Sequence, residues 1–240
     1  MLNLLRLRLK LTMRRSVLTV PSIATAGFLW ISYSVSPLGV CSSYLLSGVF
    51  LFFIGMFFAM SINGKENDVF EETLLLHSKS ASVYYASREL LLLILCCIYS
   101  LVLALAPVLL CLINSKLFMR PVEATDLALG LPYIFISGFG GMELGDLCHP
   151  RIFAKRRDAL SVAALISVLS LCKVGIMGFH PVLKVLNYLL PPILDGYEAV
   201  IDKNYFDNGS LLLICLHMAI YAVIMMLIKI RILTLKRFRY

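Results

Sequence analysis

Apolar residues run through this chain in long stretches, and its charges mark where each stretch stops. A helix that crosses a bilayer needs about 20 largely apolar residues. Between Arg15 and Lys65 lie 49 residues without Asp, Glu, Lys or Arg, enough for two such helices. Ser36-Pro37-Leu38-Gly39 in the middle is a turn signal. The pattern therefore predicts helices over residues 17–35 and 44–62. The 26 uncharged residues between Glu89 and Lys116 predict a third over 90–113. A fourth, over 127–147, must carry an acid near one end. A fifth spans 159–179 and is interrupted by Lys173, and a sixth spans 210–228. The fold class expected is all-α: a polytopic membrane protein of six transmembrane helices.

Composition agrees. Of 240 residues 60% are hydrophobic and 15% charged, against about 45–50% and about 25% in ordinary soluble chains. Mean hydropathy is +0.89. A soluble globule would have to expose most of that apolar surface, and a disordered chain lacks it. The net charge of +8 suits a membrane surface better than nucleic acid. With the N-terminus inside, 17 of the 22 Lys and Arg fall in cytoplasmic segments and 4 in external loops. By the positive-inside rule both termini are cytoplasmic. The seven cysteines form no CxxC pair and read as small apolar fillers. The chain reads as one transmembrane domain over 1–240 in a cell membrane, with no cleavable signal peptide.

The connecting segments carry what chemistry there is. Residues 1–16 mix leucines with Arg6, Arg8, Lys10, Arg14 and Arg15, an interfacial helix whose cations face lipid headgroups. The loop over 63–88 opens with Asn63-Gly64, a turn pair. It continues with Glu66, Asp68, Phe70, Glu71, Glu72, Leu74, Leu75 and His77, an amphipathic helix with acids in its first turn. Those acids oppose the basic trend of the inner surface, so the segment reads as a docking surface for a cytoplasmic partner. Tyr84, Tyr85, Arg88 and Glu89 then read as anchors at the next membrane entry. Within the spans, Glu143 either pairs with Arg151 or Lys155 or serves a function. Lys173 either snorkels to the surface or contacts a substrate or ion. Residues 180–209 are too apolar for an ordinary loop and too broken by prolines to span, which predicts a re-entrant or interfacial helical segment.

Other chemistry has no motif here. There is no Walker A sequence, HExxH or GxSxG. Glu71-Glu72 with His77 is similar to the di-glutamate start of CAAX-type membrane proteases, but Leu76 stands where that pattern has Arg. Glu143, Asp146 and His149 share a face without making a metal site.

Taken together, six spans, inside termini, the basic N-terminal helix, the acidic-apolar 63–88 loop and the broken segment before the last span resemble the membrane subunits of ABC-2-type (type V) ABC transporters. The resemblance covers the whole chain and is architectural. It implies a permease subunit that is not itself an enzyme. A separate P-loop ATPase subunit, carrying ATP and Mg, would dock on a coupling helix around Glu71–Leu76. A second permease copy or a paralogue would complete the pathway. Phe53 and Phe57, with Glu143 and Lys173, are the candidate wall, and a hydrophobic peptide, antibiotic or lipid is the expected substrate. The rival readings are an ion-coupled secondary transporter, an intramembrane enzyme and a non-transporting scaffold.

Overall fold

A computed structural model describes residues 2–14, 16–65, 68–78, 80–153, 155–179, 190–196 and 205–235. It is all-helical among the described residues. The helices are α1 (Leu2–Arg14), α2 (Thr19–Ser32), α3 (Val40–Lys65), α4 (Asp68–His77), α5 (Ala81–Ile113), α6 (Ala124–Leu147), α7 (Arg156–Phe179) and α8 (Asn208–Leu235). Four of them are long and apolar enough to cross a membrane: α3, α5, α6 and α8. That makes the chain a membrane-embedded, multi-pass protein. At 14 residues α2 is apolar but shorter than the 17–35 expectation. It is about 21 Å long at 1.5 Å per residue.

Most boundaries lie outside the apolar windows because capping and tertiary packing, rather than hydropathy, end these helices. Ser80 caps α5 by accepting the Val83 amide, so the helix begins nine residues before the expected start at 90. α6 starts at Ala124, where Asp126 accepts the Glu123 amide at 2.9 Å in a capping box. Asn63 and Gly64, read as a turn, are helical and belong to α3.

The centre of the bundle is the α3–α6 pair. Its closeness is written in glycine. A Cβ at Gly141 would land on the Phe52 carbonyl oxygen, and one at Gly145 on that of Met56. Ser137 donates to the Gly48 carbonyl at 2.9 Å across the same seam. α2 leans on α3 through the stacked rings of Phe28 and Phe50. α7 packs Ala159 and Ala163 against Phe52, Met56 and Leu144. At one end, Leu38 and Phe118 form a backbone bridge between the α2–α3 and α5–α6 connections. At the other end, Leu75 of α4, Tyr84 and Tyr85 of α5 and Leu233 of α8 form one buried cluster, with Leu4 of α1 packed on it.

Candidate functional site

At the α4 end, three membrane-length helices bring five charged side chains into one buried cluster. α8 supplies Lys229. Its Nζ lies 2.6 Å from Glu143 Oε2, 2.7 Å from Glu89 Oε1 and 2.9 Å from Asp146 Oδ2. α5 supplies Arg88, which donates to Asp146 Oδ1 from Nε at 2.9 Å and from a terminal nitrogen at 2.6 Å. None of the five side chains is more than 7% exposed. Helix periodicity explains the convergence. Glu143 and Asp146 are three apart and share a face of α6, and the neighbouring glycines let α3 close over the opposite side. Asn63 of α3 reaches the same turn, its amide donating to the carbonyls of Gly145 and Asp146 at 3.3 Å. Those carbonyls lie in the last turn of α6, where backbone donors run out; the Cys148 amide also donates to the Gly145 carbonyl, at 3.2 Å.

A second group sits directly beneath. Arg151 Nε donates to Glu71 Oε2 at 3.1 Å, and its terminal nitrogen lies 3.8 Å from Glu72. The Arg151 backbone amide donates to His149 Nδ1 at 3.2 Å. The hydrogen-bond network therefore places the imidazole proton on Nε2, which stands 3.7 Å from Glu71 Oε1. Burial, and then the nearby Arg88 guanidinium, holds the His149 imidazole well below its ordinary value. It is neutral at physiological pH. α4 is thus seated by its inner face, Glu71 and Leu75. Leu76 is 71% exposed and His77 also faces outward.

Several expectations change. Glu143 pairs with Lys229 and not with Arg151 or Lys155, because α6 faces α8 at that turn. Lys173 does not snorkel: it is 1% exposed and lies 2.6 Å from Asp195, in the 190–196 segment. That segment is buried against the bundle, with Tyr133 donating to the Ile193 carbonyl at 3.3 Å. Tyr84, Tyr85 and Arg88 are not interfacial anchors but fully buried. Arg8 turns inward, its guanidinium 4.4 Å from the Tyr84 ring, instead of facing headgroups. The α3 phenylalanines form no single wall. Phe52 and Phe58 are core, Phe53 is half-buried edge-on to Phe52, and Phe57 is exposed. Glu72 is half-buried at the rim of α4 and Leu74 is half-buried. Asp68 and Phe70 lie in α4, their side chains outside the description. Glu66, residues 180–189 and residues 197–204 lie outside the described residues.

Sequence reasoning missed Lys229 as a site residue. It counted only as an inside charge at the end of a span ending near 228, whereas α8 continues to Leu235. A lysine followed two residues later by Arg231, inside an otherwise apolar run, was the signal available.

The opposite end holds a separate pair. Arg120 donates to both Asp126 oxygens at 2.6 Å and covers the Tyr205 ring at 4.2 Å. Its hydrogen bonds to the Asp126 carboxylate hold the guanidinium above its ordinary value. Among the described residues, no group of His, Cys, Asp and Glu is arranged to hold a metal ion. Comparison with protein-family models, with curated proteins and with solved structures finds no match.

Proposed function

We propose that this chain is the membrane-spanning permease subunit of an ATP-driven transporter of the ABC-2 type, exporting a hydrophobic or amphipathic substrate across a cell membrane. In this reading α2, α3, α5, α6, α7 and α8 are six spans, and the α4 end with both termini faces the cytoplasm. A separate P-loop ATPase docks on the outer face of α4, and a second permease copy or a paralogue completes the pathway. The observation that carries the reading is α4 itself. A ten-residue helix sits between two membrane-length helices, fixed inward by Glu71 and Leu75 and presenting Leu76 and His77 outward. A surface leucine beside a half-buried acid on a helix held this firmly is suited to receive a partner and pass its displacement to the bundle.

The test is purification of the tagged chain from its host in mild detergent, with mass spectrometry of what accompanies it. A stoichiometric P-loop ATPase is expected with the wild type and is lost with Leu76→Asp and Glu72→Lys together. Leu76→Asp alone, which touches neither Arg151 contact, to Glu71 or to Glu72, should already weaken the association. A wild-type chain that emerges without an ATPase overturns the reading. It would then favour an ion-coupled secondary transporter, to which the charges buried inside α5, α6 and α8 are suited.

A further inference from the structure

We propose that Glu143 and Glu89 hold one exchangeable proton between them, so that the crossing of α5, α6 and α8 is a proton-binding site. This goes beyond the permease reading and holds with or without an ATPase partner.

Geometry carries it. Lys229 has three N–H donors, and three different carboxylates surround it at 2.6–2.9 Å. Arg88 directs Nε and a terminal nitrogen to Asp146. Asp146 therefore has two cations, while Glu89 and Glu143 share one ammonium. Among the described residues the cluster holds three carboxylates, Glu89, Glu143 and Asp146, against two cations, Arg88 and Lys229. A surplus charge among side chains this deeply buried is costly, and such groups neutralise instead.

The orphaned oxygens say where neutralisation happens. Glu89 Oε1 and Asp146 Oδ2 accept no hydrogen bond but lie against the Lys229 ammonium, at 2.7 and 2.9 Å, whereas Glu89 Oε2 and Glu143 Oε1 are buried and accept no hydrogen bond. Both carboxyl groups lean on the same ammonium, Glu143 at 2.6 Å and Glu89 at 2.7 Å, which sets them side by side. Two carboxylates in contact have acceptors only and repel. One proton converts one of them into a donor, fills both orphaned positions and removes the surplus charge.

Among the described residues, the other groups near the pair are engaged elsewhere or uncharged. From α5 come Tyr85 and Arg88, the latter on Asp146. From the turn after α6 come His149, neutral, and Arg151, which bonds Glu71 of α4. From α1 comes Arg8, stacked on Tyr84. From α3 comes Asn63, uncharged. Release of the proton leaves two bare carboxylates side by side, so that Glu89 of α5 and Glu143 of α6 repel each other across Lys229.

Infrared spectroscopy of the full chain in lipid vesicles, taken from neutral to strongly alkaline pH, tests this directly. At neutral pH the wild type should show the carbonyl stretch of a protonated carboxylic acid. The band should shift with isotope-labelled glutamate, stay fixed with labelled aspartate, and vanish reversibly at alkaline pH. It should be absent in Glu143→Gln and in Glu89→Gln and present in Glu71→Gln. A wild type without the band, a band that follows labelled aspartate, or a band that survives Glu143→Gln overturns the proposal. The labelling arm uses unaltered protein, so a variant that fails to fold leaves the test decisive.

Discussion

α6 and α8 are both long, apolar helices, yet they are held in opposite ways. In its most apolar stretch α6 is 61% buried and α8 only 17%. α6 is fixed by shape: glycines at 141 and 145 remove side chains where the α3 backbone must come close. α8 is buried at a few points, Leu211, Met218, Ala222, Lys229 and Leu233, and Lys229 ties it to three carboxylates. Shape complementarity distributes attachment along a helix and makes it insensitive to pH. Attachment through one ammonium concentrates it and makes it dependent on protonation.

Substitutions can break this contrast. The largest effect should come from Lys229→Met, which takes the ammonium from Glu89, Glu143 and Asp146 and leaves Arg88 on Asp146. Removing one partner of a buried ion pair costs about 3–5 kcal/mol, so the thermal midpoint of the detergent-solubilised chain should fall steeply. An unchanged midpoint would mean that α8 is held by its apolar contacts after all. Next come Gly141→Ala and Gly145→Ala, each expected to cost about 1–3 kcal/mol by overpacking. Gly140→Ala is their control, because its Cβ would meet only a Phe52 ring carbon at 3.9 Å. The control should be neutral or, from helix propensity, stabilising by up to about 1 kcal/mol. If all three behave alike, close approach is not what α6 requires.

A smaller effect sharpens the pH side of the contrast. His149 is buried neutral, with a folded value below that of the unfolded chain. The unfolded state therefore binds the proton first. Stability is full above the ordinary histidine value of about 6.5 and falls as pH drops below it, by up to about 1.4 kcal/mol per pH unit. His149→Asn should flatten that slope in thermal melts taken at falling pH. Smallest of all, Leu227→Ala on the exposed side of α8 should change stability by no more than about 0.5 kcal/mol.

The helices were legible in the sequence because runs without charge are long here, and hydropathy finds such runs directly. Their ends were not. Ser80 and Asp126 extend α5 and α6 by capping, an interaction a hydropathy window averages away. The site was legible in part. Glu143 stood out as an acid within a span, and Glu71 as part of a distinct cytoplasmic helix. Their partners did not, because Lys229 lies 86 residues from Glu143 and Arg151 lies 80 from Glu71, and single-sequence periodicity carries no information on which faces meet. Charges near span ends were read as surface anchors by default. Arg88, Lys173 and Lys229 show that a charge at a span end goes inward when a carboxylate on another element waits for it.

The amide of Asn63 draws one more consequence. It spans two successive carbonyls at the end of α6, so the last turns of α3 and α6 are in fixed phase. Inserting a single residue between Gly55 and Asn63 would turn everything beyond it by about 100° and advance it by about 1.5 Å. Asn63 would leave α6, and α4, which follows after Lys65, would swing away from Arg151. The distance along the chain from the glycine seam to α4 is therefore a measured length, and this stretch should accept exchanges of residue far more readily than any change in their number.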